Sequence, residues 1–119
     1  MWLTEPDEYF THQTSLPHVM VASTDPSWRE RYWVSIQDVV GGDTVVTLGI
    51  GKYPNQDVLE AFVCVSRGDK QRNLRLSRTL SPRNDQTCVG PFAIEVVRPL
   101  RELRFKLDDN PSNVSFDLT

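Results

Sequence analysis

The sequence predicts an all-β protein, one antiparallel meander folded into a barrel or sandwich. Two observations carry this. From residue 31 onward, apolar and polar residues alternate in short stretches, the mark of half-buried strands. Clusters of Gly, Pro, Asn and Asp separate those stretches at regular spacing, as in meanders, sandwiches and barrels.

Taken in order, residues 1–30 stand apart as an irregular N-terminal arm. They hold Pro6, Pro17 and Pro26, both histidines and no sustained period. A short helical turn is expected around Glu5 to Phe10, and Asp25 before Pro26 opens a turn in "STDPSW". The β domain is residues 31–119. "RYWVSIQD" sets Tyr32, Val34 and Ile36 against Trp33, Ser35 and Gln37. Gly41-Gly42-Asp43 marks a tight turn. "TVVTLGIG" places Val46, Leu48 and Ile50 on one face. After the "YPNQD" turn, "VLEAFVCVS" is apolar on both faces and reads as a central strand.

Arg67-Gly68-Asp69-Lys70 turns the chain into "NLRLSRTL", where Leu74 and Leu76 oppose Arg75 and Ser77. A longer loop spans 81–91. "FAIEVV" aligns Phe92, Ile94 and Val96, and Arg98-Pro99 breaks it. In "LRFKL", Leu103, Phe105 and Leu107 share a face. A helix through Leu100, Leu103 and Leu107 also fits 3.6 spacing; the proline break and the hairpin partner that follows favour the strand. After "DDNPSN", "VSFDLT" sets Val114, Phe116 and Leu118 against Ser115, Asp117 and Thr119. Seven strands result, the last with no turn behind it, so the sheet is expected to be unfinished by this polypeptide alone.

Composition bounds the function. The 119 residues fit one domain, and 39% hydrophobic with 24% charged content suits a folded core. A net charge of −3 argues against nucleic-acid binding, which needs a positive footprint. The N-terminus lacks a basic start followed by an apolar stretch, and no run is long enough to span a bilayer. The expectation is a soluble, cytoplasmic protein with no membrane span. Cys64 and Cys88 form no disulfide framework, although one bridge between them stays open, and their spacing fits no zinc motif. Asn113-Val114-Ser115 matches the glycosylation pattern in a context that is not secretory.

Candidate chemistry is sparse. "DPSWRERYW" could stack and clamp an aromatic ligand. Its plainer reading is packing by Trp28 with local ion pairs among Arg29, Glu30 and Arg31. Trp33, opposite Tyr32, Val34 and Ile36, would have to bury a large ring away from the core. "GIGKYPN" lacks the helix start that a phosphate loop needs, so Gly49 and Gly51 are expected to mark a bulge or a close backbone approach. The run Arg67, Lys70, Arg72, Arg75, Arg78 and Arg83 is split by strand alternation, as expected of a charged, protected edge. Arg78 falls on the apolar face, where a buried guanidinium would need a carboxylate or an anionic ligand. His12 and His18 form no metal set with their neighbours, and no catalytic constellation emerges; neither metal nor cofactor is expected.

"DPSWRERYWVSI", "GIGKYPNQDVLEAFV", "QRNLRLSRTL" and "VGPFAIEVVRPLRELRFKLDDN…VSFDLT", in that order, resemble the leading part of a family of uncharacterised bacterial proteins. That family is related to the AttH and carotenoid 1,2-hydratase (hydroxyneurosporene synthase) group. The resemblance spans Asp25 to Thr119 and implies a lipocalin-like, two-part β architecture, with a second β domain following the segment seen here. Relatives include hydratases acting on isoprenoids and proteins that hold greasy polyketides. No catalytic motif carries over residue by residue.

The resulting expectation is a lipocalin-like β domain that binds a hydrophobic, isoprenoid- or lipid-like small molecule. Trp33, Phe62, Arg78, Glu60 and Glu95 are the candidate ligand-binding residues. An isoprenoid hydratase or isomerase is the enzymatic alternative; Glu60 or Glu95 would then be a proton donor with a raised pKa in a dry pocket. A purely structural or interaction domain is the third reading. The open final strand predicts self-association or pairing with a missing second β domain.

Overall fold

A computed structural model of the chain describes residues 2–9, 21–80 and 87–119. It holds β1 (Glu30–Gln37), β2 (Thr44–Tyr53), β3 (Val58–Arg67), β4 (Lys70–Thr79), β5 (Cys88–Val89), β6 (Phe92–Arg98), β7 (Glu102–Leu107) and β8 (Phe116–Leu118). The strands form two antiparallel four-stranded sheets, β1-β2-β3-β4 and β5-β6-β7-β8. The chain crosses from one sheet to the other between β4 and β5. Among the described residues, no hydrogen-bonded ladder joins the sheets, so the architecture is a sandwich and not a closed barrel.

Alternation decides what lies between the sheets. The register aligns Tyr32, Ile50, Ala61 and Leu76 in one inward row and Val34, Leu48, Val63 and Leu74 in the next. Leu48, Leu59 and Phe92 are fully buried, and one apolar cluster joins these rows to Val89, Ile94, Phe105 and Leu107 of the second sheet. β3 is indeed central, flanked by β2 and β4 over its full length.

The expected elements differ in places. β5 falls inside the stretch read as a loop; two residues are too few to show a period. The segment from 102 to 107 is a strand, not the competing helix. The helical turn near the N-terminus is a 3-10 helix at Glu5–Glu8, capped by Thr4 and Asp7. At the Asp25 turn, the Asp25 carboxylate accepts from the Ser27 amide at 2.8 Å. Of the bulge or close backbone approach expected at Gly49 and Gly51, the bulge is absent, since β2 pairs β1 and β3 in continuous register, and the close approach is found at Gly49, against the Tyr32 carbonyl. Instead, a register shift lies between Val96 and Arg98. His12, His18 and Arg83 lie outside the described residues.

Candidate functional site

The outer face of the first sheet collects most of the candidate residues. Trp33 on β1, Gly49 on β2, Phe62 on β3 and Arg75 on β4 form one transverse row. Gly49 matters by having no side chain. A Cβ there would lie 2.8 Å from Phe62 Cε1 and would overlap the Tyr32 carbonyl oxygen. The Phe62 ring therefore lies across β2 towards Trp33. Trp33 is 65% exposed; the expectation that its large ring is buried away from the core is corrected. An exposed indole beside a phenyl ring leaves an open groove of about 290 Å³, lined by Arg31, Tyr32, Trp33, Phe62 and Arg75. A second groove of about 210 Å³ continues along Phe62, Cys64, Asn73 and Arg75.

The adjacent row is polar. Arg31, Gly51, Glu60 and Ser77 stand in register. Glu60 lies over Gly51, where a Cβ would come within 2.9 Å of Glu60 Oε1. This lets the carboxylate accept from Arg31 Nη2 at 2.9 Å and from Tyr53 Oη at 2.7 Å. Burial pulls the Glu60 pKa upward, but the bonds from Tyr53 and Arg31 outweigh it and hold the pKa below its usual value. Arg31 thus pairs across two strands, not with its sequence neighbours. Arg75 is exposed and has no hydrogen bond or ion pair among the described residues.

Arg78 points the opposite way, into the sandwich. Glu30, Lys52, Leu59 and Arg78 form the last inward row of the first sheet. Arg78 Nε donates to the Cys88 carbonyl at 2.7 Å, and Nη1 donates to the Thr79 and Leu80 carbonyls at 2.8 and 3.1 Å. Backbone oxygens on both sides of the crossing between the sheets thus hold the guanidinium. Lys52, which sequence reading passed over, is only 1% exposed. Its ammonium lies 5.8 Å from the centre of the Tyr32 ring. Burial, partly offset by Glu30, pushes its pKa down to about 8. The signal was parity: Lys52 continues the inward series Val46, Leu48, Ile50.

Glu95 is not brought to this site. It lies on the outer face of the second sheet, 3.5 Å from Arg104. Arg104 in turn grips Asp117 through two bonds of 2.7 and 2.5 Å. Cys64 and Cys88 are free thiols on different sheets. Among the described residues, no group of His, Cys, Asp or Glu could hold a metal ion, and no helix is long and apolar enough to cross a membrane.

Residues 3–119 match the family of unknown function DUF8625. The chain belongs to that family. No curated protein and no solved structure matches this DUF8625 chain.

Proposed function

We propose that the chain binds a flat, apolar small molecule bearing an anionic group, on the outer face of the first sheet. The observation that carries this is the row Trp33, Gly49, Phe62 and Arg75. An indole left largely in water beside a second ring costs hydrophobic stabilisation unless something covers it. Arg75 supplies a cation at the end of the row, with Glu60 of the adjacent row in electrostatic reach but no hydrogen bond or ion pair among the described residues, placed to meet a carboxylate or sulfonate. The resemblance to lipocalin-like proteins supports a greasy ligand, such as an isoprenoid carboxylate. The proposal differs from a lipocalin in placing that ligand outside the sandwich and not between its sheets.

The hydratase alternative is weaker. A proton donor must be protonated before reaction, whereas Arg31 and Tyr53 favour the ionised form of Glu60. Self-association or pairing with further β structure through the open edges remains part of this reading, and size-exclusion chromatography tests it: a stable monomer argues against it.

The ligand proposal is tested by tryptophan fluorescence. Titration with aromatic and isoprenoid carboxylates should change the signal, while Trp33→Ala abolishes the response. Arg75→Gln should weaken carboxylates by about tenfold, the loss of one charge-assisted contact, and leave the matching alcohols unaffected. A panel that leaves the wild-type fluorescence unchanged defeats the proposal.

A further inference from the structure

The opposite end of the first sheet carries a separate feature. Strand parity puts Arg67, Lys70 and Arg72 on the inward-facing side of the β3–β4 hairpin, while Arg75 points outward. The inward cations lie beyond the apolar rows, facing residues 113–115 of the second half of the chain. An open cleft of about 470 Å³ lies between, lined by Val65, Arg67, Lys70, Arg72, Asn113, Val114 and Ser115. Among the described residues, three cations and no carboxylate line it, in a chain whose net charge is −3.

Their existing partners leave this charge largely unspent. Arg72 Nη1 donates to the Ser112 and Asn113 carbonyls at 2.9 and 3.4 Å, which leaves Nε and Nη2 without a partner among the described residues. Arg67 has one long ion pair, 3.8 Å to Asp43. Lys70 makes no hydrogen bond or ion pair among the described residues. A charged hairpin tip normally spreads its cations into solvent. Here they converge on a concave surface, where like charges raise one another's energy and an anion relieves it.

We propose that this cleft binds a phosphate group. Lys70 and Arg67 supply charge at its rim. Arg72 presents its remaining N–H donors from a fixed position, and the Ser115 hydroxyl offers a further donor. A tetrahedral dianion with several acceptor oxygens suits this set better than a carboxylate does. The site is independent of the outer groove.

The test is isothermal titration of the full chain with inorganic phosphate and pyrophosphate at low ionic strength, alongside co-sedimentation with vesicles of phosphatidylcholine with and without phosphatidic acid. Binding of the free anions assigns a soluble phosphate ligand; sedimentation that depends on phosphatidic acid assigns a lipid headgroup. The double variant Arg67→Gln/Lys70→Gln changes only exposed side chains. It should melt as the wild type does and lose at least about tenfold in affinity, while Arg75→Gln binds normally. Wild-type protein that binds neither probe, or a double variant that binds as well as wild type, overturns the proposal.

Discussion

Arg72 and Arg78 face inward from the same strand, β4, and each reaches across to backbone carbonyls of the other half of the chain. Arg72 holds the Ser112 and Asn113 oxygens; Arg78 holds that of Cys88. β4 is an edge strand, and these two guanidinium groups fasten it at both ends of the core.

Replacing either arginine by methionine should therefore destabilise the fold. Each loss removes charge-assisted bonds that are mostly at the solvent boundary, at about 0.5–1.5 kcal/mol. The two sites lie at opposite ends of the strand with no shared partner, so the double variant should show the sum. Lysine should rescue little, because a point charge cannot serve several carbonyls at once. Urea unfolding midpoints measure all of this.

Lys52 predicts an unusual pH dependence. Its folded pKa is near 8, below the ordinary value of 10.5. Below pH 8 both states carry the proton and the full penalty of burying the charge is present. Between pH 8 and 10.5 the unfolded state holds more protons, so stability rises with pH. Tyr32 acts the other way. Burial raises its pKa to about 12, so its contribution is present below pH 10 and lost as pH passes through 12. Stability should thus climb from pH 8 to about 10 and then fall as pH approaches 12. Lys52→Met should stabilise the protein at pH 7 by roughly 1–3 kcal/mol and flatten that climb. A Lys52 variant that keeps the same pH profile rules this account out.

The two outer-face glycines should respond differently to alanine. At Gly49 the new Cβ overlaps the Tyr32 carbonyl, which is backbone and cannot swing aside. At Gly51 it meets Glu60, a side chain that can move. Gly49→Ala should cost about 2–4 kcal/mol and Gly51→Ala about 1 kcal/mol. Gly51→Ala should also loosen Glu60 from Arg31, seen as a rise of the Glu60 pKa in a carboxyl NMR titration.

Leu100 offers a gain. The Arg101 amide donates to the Arg98 carbonyl at 3.0 Å, with Pro99 second in the turn. Leu100, third, has φ +58°. That is the pattern of a type II turn, whose third position favours glycine. Leu100→Gly should raise stability by about 1 kcal/mol in thermal unfolding. The Leu100 amide keeps its bond to the Glu8 carboxylate, 2.7 Å long, because the backbone donor is unchanged.

Much of this fold was legible because period-two alternation is robust where one face is buried. Tyr32, Val34 and Ile36, like Leu74 and Leu76, are inward as alternation requires. What alternation cannot supply is register between strands. Glu60 meets Arg31 only because β1, β2 and β3 align in one particular way. The Trp33 and Phe62 groove depends on the same alignment, and on a glycine whose role is to be small. Lys52 escaped notice for a different reason. The alternating stretch ends at Gly51, two residues short of the strand's end at Tyr53, and lysine's chemistry argues for the surface. The eight-stranded count was hidden by β5, since two residues carry no pattern.

Because each sheet uses a contiguous half of the chain, the molecule is a natural candidate for assembly from two pieces. A peptide ending just after Thr79 would carry every strand of one layer, and one starting at Thr87 every strand of the other. Neither alone could cover its greasy face. Mixed together, they should reconstitute the native near-ultraviolet dichroism, with Arg72 and Arg78 as the bonds between fragments.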